Sequence, residues 1–136
     1  MNPAFFGKWN LDKSRTTGKE DFAKAFNIPD EQFAQIDKIQ ITLTISQEGD
    51  AYKFEMDFNG AAPSQTVLLT PGVESEVVAM DGSKAKVTLS VEGDGVKESY
   101  TSAKGDWILT RSVDGNEQKS VTTAKGVTLT QYLVRA

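Results

Sequence analysis

The sequence contains no cysteine and no histidine among its 136 residues. These absences exclude a disulfide framework, a thiol nucleophile, the commonest general base and the usual zinc ligands. The acidic residues fall in turns and at outward-facing strand positions, as in Glu48-Gly-Asp50 and Asp114-Gly115, where they read as turn formers. No segment matches a dinucleotide, phosphate or calcium motif. We therefore expect a protein that is not an enzyme and that uses neither a metal nor a cofactor.

Long hydrophobic runs are also missing. No apolar run approaches the roughly 20 residues that cross a bilayer, and residues 1–6 lack the pattern of an export signal. The 15 basic and 19 acidic side chains give a net charge of −4, which argues against binding to nucleic acid. The length fits one domain spanning residues 1–136. These features predict a cytoplasmic, monomeric, single-domain protein.

Glycine divides the last two-thirds of the chain at intervals of 10 to 12 residues. Between the glycines, apolar and polar residues alternate, which is typical of short antiparallel strands joined by tight turns. The sequence therefore predicts an all-β fold, a ten-stranded up-and-down antiparallel β-barrel. The predicted strands lie near residues 5–11, 39–46, 52–58, 64–70, 74–80, 84–91, 96–102, 107–113, 117–123 and 127–135.

Between about residues 16 and 37, the spacing of apolar residues changes from that of a strand to that of a helix. Phe22, Ala25 and Phe26 recur at helical spacing, and Pro29 opens a second helical segment that places Phe33 and Ile36 on one side. Two short helices are therefore predicted between the first and second strands. About eight strands give an interior just filled by side chains, so ten strands should enclose a cavity suited to an apolar small molecule. The helical hairpin is placed to cap one end of it.

Two segments of the sequence resemble segments of a known protein family. Phe5-Phe-Gly-Lys-Trp-Asn-Leu11, followed by Ser14, resembles the Phe-x-Gly-x-Trp-x-Leu opening of the intracellular lipid-binding proteins, the fatty-acid-binding and cellular retinoid-binding proteins of the calycin superfamily. Residues 125–136 are similar to the last strand of that family, and the Glu48-Gly49-Asp50 and Met80-Asp81-Gly82 turns also have counterparts. The resemblance covers the whole chain. It implies a ten-stranded β-clam with a helix-turn-helix portal lid, and a packing role for Trp9 at the closed end.

The sequence departs from this family in two places. Residues 15–20 replace the usual segment after Ser14 with a small insertion, so the first helix should begin later. Fatty-acid binders generally carry Arg-x-Tyr in the last strand to hold a carboxylate, and the matching residues here are Gln131 and Leu133. Arg111 matches the other carboxylate-binding arginine of the family. Retinol-binding members have glutamine at both arginine positions, and this chain has one residue of each kind.

The residues themselves also single out Arg111. A period of two places Trp107, Leu109, Arg111 and Val113 on the more apolar strand face. A buried guanidinium needs an anionic partner, which would be either an internal carboxylate or the carboxylate of a ligand. The alternative is that a register slip or bulge turns Arg111 to solvent. Gln131, on an inward face, is either a ligand contact or a core amide satisfied by its neighbours.

The sequence thus predicts a non-enzymatic intracellular carrier of a long-chain fatty acid or a similar apolar carboxylate. The alternatives are a carrier of retinol or another neutral lipid, and a ligand-free structural or interaction barrel. For the predicted cavity and portal residues, packing in the core or on the barrel rim is the competing interpretation. The lid residues could also touch membranes transiently. The predicted headgroup residues are Arg111, Gln131 and Tyr100; the predicted cavity residues are Phe54, Met56, Trp107, Leu109, Leu129 and Leu133; and the predicted portal residues are Phe22, Phe26, Phe33 and Ile36.

Overall fold

A computed structural model describes residues 1–78 and 83–136. Its described residues form one antiparallel sheet of ten strands, in the order β4-β3-β2-β1-β10-β9-β8-β7-β6-β5. The strands are β1 Gly7–Thr17, β2 Thr42–Glu48, β3 Ala51–Asp57, β4 Gln65–Leu69, β5 Ser75–Val78, β6 Lys84–Glu92, β7 Gly95–Ser102, β8 Trp107–Asp114, β9 Glu117–Ala124 and β10 Val127–Arg135. Consecutive strands pair from β1 to β4 and from β5 to β10, and β1 closes against β10. The sheet is a nearly closed barrel, as predicted.

The barrel has one open seam. The edge strands β4 and β5 face each other there, and within the described ranges no backbone ladder joins them. Two helices, α1 Lys19–Ala25 and α2 Asp30–Asp37, lie between β1 and β2. Both helices and their position confirm the predicted helical hairpin.

The first strand differs from its predicted boundaries. Phe5 belongs to a 3₁₀ turn, Pro3–Phe5, in which the Asn2 side chain accepts a hydrogen bond from the Ala4 N–H at 3.0 Å. The fixed φ of Pro3 suits the first position of such a turn, so the strand begins only at Gly7. At its other end β1 continues to Thr17, past a register shift after Asp12. The first helix therefore starts late, at Lys19, as predicted from the insertion.

Two further predictions concern the ends of strands. β2 begins at Thr42 rather than near residue 39, although Ile41 still accepts a hydrogen bond from the Leu11 N–H at 3.0 Å. The predicted Met80-Asp81-Gly82 turn and the end of the strand predicted at 74–80 lie outside the described residues.

The hinge between β1 and α1 requires glycine. Gly18 has a φ of +83°, and a Cβ placed on it would lie 2.0 Å from the carbonyl oxygen of Thr128. Any other residue would therefore force α1 away from β10. This close approach fixes where the helical hairpin sits on the barrel.

A hydrophobic core packs around Trp9 inside the barrel. Phe5 and Trp9 are fully buried, and Leu43, Ile45 and Leu133 pack in the same cluster. The Trp9 indole donates a hydrogen bond to the Phe5 carbonyl at 2.9 Å, and the Arg135 guanidinium lies 4.0 Å from the centre of the indole ring. These contacts tie the N-terminal turn to the last strand, in agreement with a structural role for Trp9.

Candidate ligand-binding cavity

The barrel and its two helices line a cavity of about 430 Å³. Its wall is mainly apolar and includes side chains from both helices and from most strands. Five of the six residues predicted for the cavity line it: Phe54, Met56, Trp107, Leu109 and Leu129. Leu133, the sixth, packs instead in the core cluster with Trp9. It points inward as predicted, but it lies at the wrong level along the barrel to reach the cavity wall.

The four predicted portal residues, Phe22, Phe26, Phe33 and Ile36, also line the cavity. Lys19 and Asp37 join the two helices through an ion pair of 2.8 Å. More than a third of each of these side chains is accessible, so this pair adds little to stability. The two helices therefore cover one end of the cavity with an apolar inner surface.

A continuous row of aromatic rings leads from α1 into the barrel. Phe22 packs on Phe26 with ring centres 4.8 Å apart, and Phe26 meets the edge of Trp107 at 5.7 Å. Trp107 in turn stacks on Tyr100 at 4.9 Å, with the rings 10° from parallel. Arg111 lies four residues beyond Trp107 on the same strand, a further distance of about 13 Å along it. The polar residues around Arg111 are thus remote from the α1 end of the cavity.

Arg111 faces inward, and its partner is an internal carboxylate. Its Nε donates to Glu98 Oε2 at 2.6 Å, and its Nη1 donates to Gln118 Oε1 at 3.0 Å. The Glu98 side chain is 2% exposed, and its second oxygen accepts a hydrogen bond from the Tyr100 hydroxyl at 2.6 Å. Of the two partners that the sequence allowed, the internal carboxylate is therefore the one present. The solvent-facing alternative for Arg111 is excluded.

Uncharged polar groups complete this end of the cavity. Gln131 and Thr122 line the cavity, and their side chains have no hydrogen-bond partner among the described residues. The Nε2 atom of Gln118 is buried and has no partner in the same set of residues. Unpaired buried donors call for a water molecule or a ligand oxygen. The cavity wall therefore offers the neutral side chains of Gln131 and Thr122, beside an ion pair whose charges neutralise each other.

Burial and the ion pair change the pKa values of Tyr100 and Arg111. Burial raises the pKa of Tyr100 well above its ordinary value of 10.0, and the neighbouring Glu98 carboxylate raises it further. Burial has the largest single effect on the pKa of Arg111 and would lower it, but the charge and hydrogen bond of Glu98, together with Tyr100, raise that pKa on balance. Tyr100 is therefore a neutral hydrogen-bond donor, and Arg111 a cation, throughout the physiological range.

The raised pKa of Tyr100 predicts a loss of stability in alkali. The folded protein keeps this proton above pH 10 whereas the unfolded chain releases it, so the stabilisation is complete below about pH 10 and falls above it, by up to about 1.4 kcal/mol per pH unit. We expect urea unfolding of Tyr100→Phe to show a shallower decline between about pH 9 and 11 than the wild type. Tyr132→Phe, a partly exposed control, should decline like the wild type. Equal slopes for all three proteins would contradict this assignment.

Among the described residues, sequence reasoning missed five buried polar side chains. Thr42 lies on β2, and the other four are Glu98 on β7 and Gln118, Ser120 and Thr122 on β9. The signal was present, because alternation along Val96, Glu98 and Tyr100 places Glu98 on the inward face. The interpretation of acidic residues as turn formers or outward-facing side chains was wrong at this one position. On β9 the inward face is almost entirely polar, so hydrophobic alternation gave no indication of which side was buried.

Among the described residues, no cluster of three or more acidic side chains could hold a metal ion. In the same part of the chain, no helix is long and apolar enough to cross a membrane.

Comparison with known proteins identifies the family. The model of the lipocalin and cytosolic fatty-acid binding protein family matches residues 3–132. The chain belongs to this family. The family resemblance drawn from the two terminal segments is therefore confirmed, and so is the prediction of a binding protein rather than an enzyme.

Individual relatives extend over nearly the whole chain. The liver-type fatty acid-binding protein of Epinephelus coioides is 31% identical over 112 residues, 82% of this chain and 83% of that protein. The liver fatty acid-binding protein of Schroederichthys bivius is 29% identical over 126 residues, 93% of this chain and 94% of that protein. The fatty acid binding protein of Schistosoma mansoni, solved in complex with arachidonic acid, superposes with a TM-score of 0.89 at 18% identity, covering 98% of this chain and 96% of that one. This last likeness confirms the fold.

Proposed function

We propose that this family member is a non-enzymatic carrier that holds one long-chain lipid inside the barrel. The observation that carries the proposal is the mainly apolar cavity of about 430 Å³ between the barrel and its two helices. This volume lies within the range of about 300–1,000 Å³ that is usual for small-molecule sites. A mainly apolar wall with a few polar groups at one end fits a long hydrocarbon chain that carries a single polar head.

In this proposal the hydrocarbon lies against Phe54, Met56, Leu109 and Leu129. Each buried CH₂ contributes about 0.8 kcal/mol, so about twelve of them would supply roughly 10 kcal/mol. Part of this is offset by the freedom that the ligand loses on binding. The chain therefore dominates the affinity, and the head near Arg111, Gln131 and Tyr100 sets the orientation.

Two classes of head group have support. A fatty acid is supported by the names of the relatives and by the Schistosoma mansoni complex with arachidonic acid. A neutral lipid, such as retinol or a long-chain alcohol, is supported by Gln131 and by the ion pair that occupies Arg111. Both classes place the same hydrocarbon in the same cavity.

The proposal also places the carrier in the cytoplasm as a monomer whose helical lid contacts membranes during transfer. The word cytosolic in the family description supports the location. The half-buried Phe33 on α2 supports contact with a lipid surface. Microscopy of a fluorescent fusion would test the location, and light scattering would test the oligomeric state. A vesicle-to-vesicle transfer assay would test contact with membranes.

Calorimetric titration of the delipidated protein tests the carrier function. We expect oleate, oleyl alcohol or both to bind at one molecule per chain with a Kd of about 1 μM or tighter, which corresponds to about −8 kcal/mol. Binding should change the fluorescence of Trp107 on the cavity wall, and Trp107→Phe should abolish this change because Trp9 lies in the core. Absence of binding by both lipids would contradict the carrier function and favour a ligand-free structural barrel.

A further inference from the structure

The charged groups deep in the cavity cancel each other. Glu98 and Arg111 are diagonal neighbours on β7 and β8, since Glu98 pairs with Leu109 and Arg111 pairs with Val96. Their 2.6 Å contact joins side chains that are 2% and 11% exposed. Both carboxylate oxygens of Glu98 accept hydrogen bonds, from Arg111 and from Tyr100. The two charges therefore neutralise each other without a ligand.

This neutrality works against a carboxylate head group. An ionised carboxylate that approached Arg111 would also approach the buried carboxylate of Glu98. In a low-dielectric interior two like charges at such short range repel strongly. The attraction to Arg111 would be largely cancelled, and the cost of removing the ligand carboxylate from water would remain.

The free polar groups nearby suit an uncharged head. Gln131 and Thr122 line the cavity, and their side chains have no hydrogen-bond partner among the described residues. An amide both donates and accepts hydrogen bonds, and a hydroxyl does the same. A ligand hydroxyl or carbonyl can therefore be satisfied without bringing a charge into the barrel.

We propose that Glu98 sets the specificity of the cavity for a long-chain lipid with an uncharged oxygen-containing head, such as an alcohol, an aldehyde or an ester. This inference rests on the proposed carrier function. Glu98 acts as a built-in counter-ion that occupies Arg111, and Gln131 with Thr122 binds the ligand oxygen.

Changing the charge of the interior by two independent routes tests this inference. Glu98→Gln removes the internal carboxylate, and Gln131→Arg adds a cation while the Glu98–Arg111 pair stays in place. Each change raises the interior charge by one. We expect each to lower the ratio of the Kd for oleate to the Kd for oleyl alcohol at least tenfold relative to the wild type, measured by calorimetry at one pH and salt concentration.

Glu92→Gln is the matched control, because it removes a carboxylate from an exposed position at the end of β6. It should leave this ratio unchanged. If Glu98→Gln fails to fold, Gln131→Arg still decides the question, since it keeps the ion pair. A wild type that prefers oleate, or a ratio that stays constant when the interior charge rises, would overturn the role of Glu98 and leave the carrier function standing. Failure of every protein to bind either lipid would overturn the carrier function as well.

Discussion

Replacement of Arg111 by methionine is expected to lower the free energy of unfolding by about 3–5 kcal/mol. The reason is that Glu98 would remain buried, at 2% exposure, without its cationic partner. Removing one member of a buried ion pair costs far more than the pair itself contributes, because the remaining charge has lost its hydration and gained nothing in return. Urea unfolding at pH 7 measures the loss directly.

The double variant Arg111→Met/Glu98→Gln provides the control. An amide at position 98 can still accept the hydrogen bond from Tyr100, and no charge is left behind. We expect the double variant to regain at least half of the stability that the single variant loses. A loss below about 1 kcal/mol in the single variant, within the range of exposed ion pairs, would contradict the buried pair.

Replacement of Leu129 by tryptophan is expected to weaken lipid binding at least tenfold, which is about 1.4 kcal/mol or more. Leu129 lines the cavity, so a larger ring there would occupy the space proposed for the hydrocarbon. Because the ring enters a cavity rather than a packed core, the cost to stability should stay near the low end of the usual 1–3 kcal/mol for overpacking. Calorimetric titration with oleyl alcohol measures the affinity.

Val134→Trp is the matched control for this substitution. Val134 is on the same strand but on its outer face, and it is 38% exposed. We expect its affinity for oleyl alcohol to stay within about twofold of the wild type. Wild-type affinity in Leu129→Trp would place the lipid outside the cavity.

The sequence predicted the barrel well because strand periodicity reports which face is buried. Alternating residues gave the ten strands, and the change of period between residues 16 and 37 gave the two helices. Boundaries were less accurate where a local contact overrides the pattern. Pro3 and the Asn2 cap draw Phe5 into a 3₁₀ turn, although its spacing from Trp9 fits a strand.

The residues that line the cavity were predictable only in part, because strand periodicity carries limited information. A period of two separates inside from outside but does not give the height of a residue along the barrel. Leu129 and Leu133 share an inward face, yet one lines the cavity and the other packs in the core. The partner of Arg111 depends on the register between β7 and β8, and that register is set by the pairing of whole strands.

The most direct test of the proposed carrier function is a crystal structure of the delipidated protein reloaded with oleyl alcohol. We expect one molecule in the cavity, with its hydrocarbon against Phe54, Met56 and Leu129 and its hydroxyl within hydrogen-bond distance of Gln131 or Thr122, while the Glu98–Arg111 pair stays intact. A hydroxyl at the α1 end of the cavity, against Phe22 or Phe26 and away from Gln131 and Thr122, would contradict this placement, and so would a lipid bound outside the barrel.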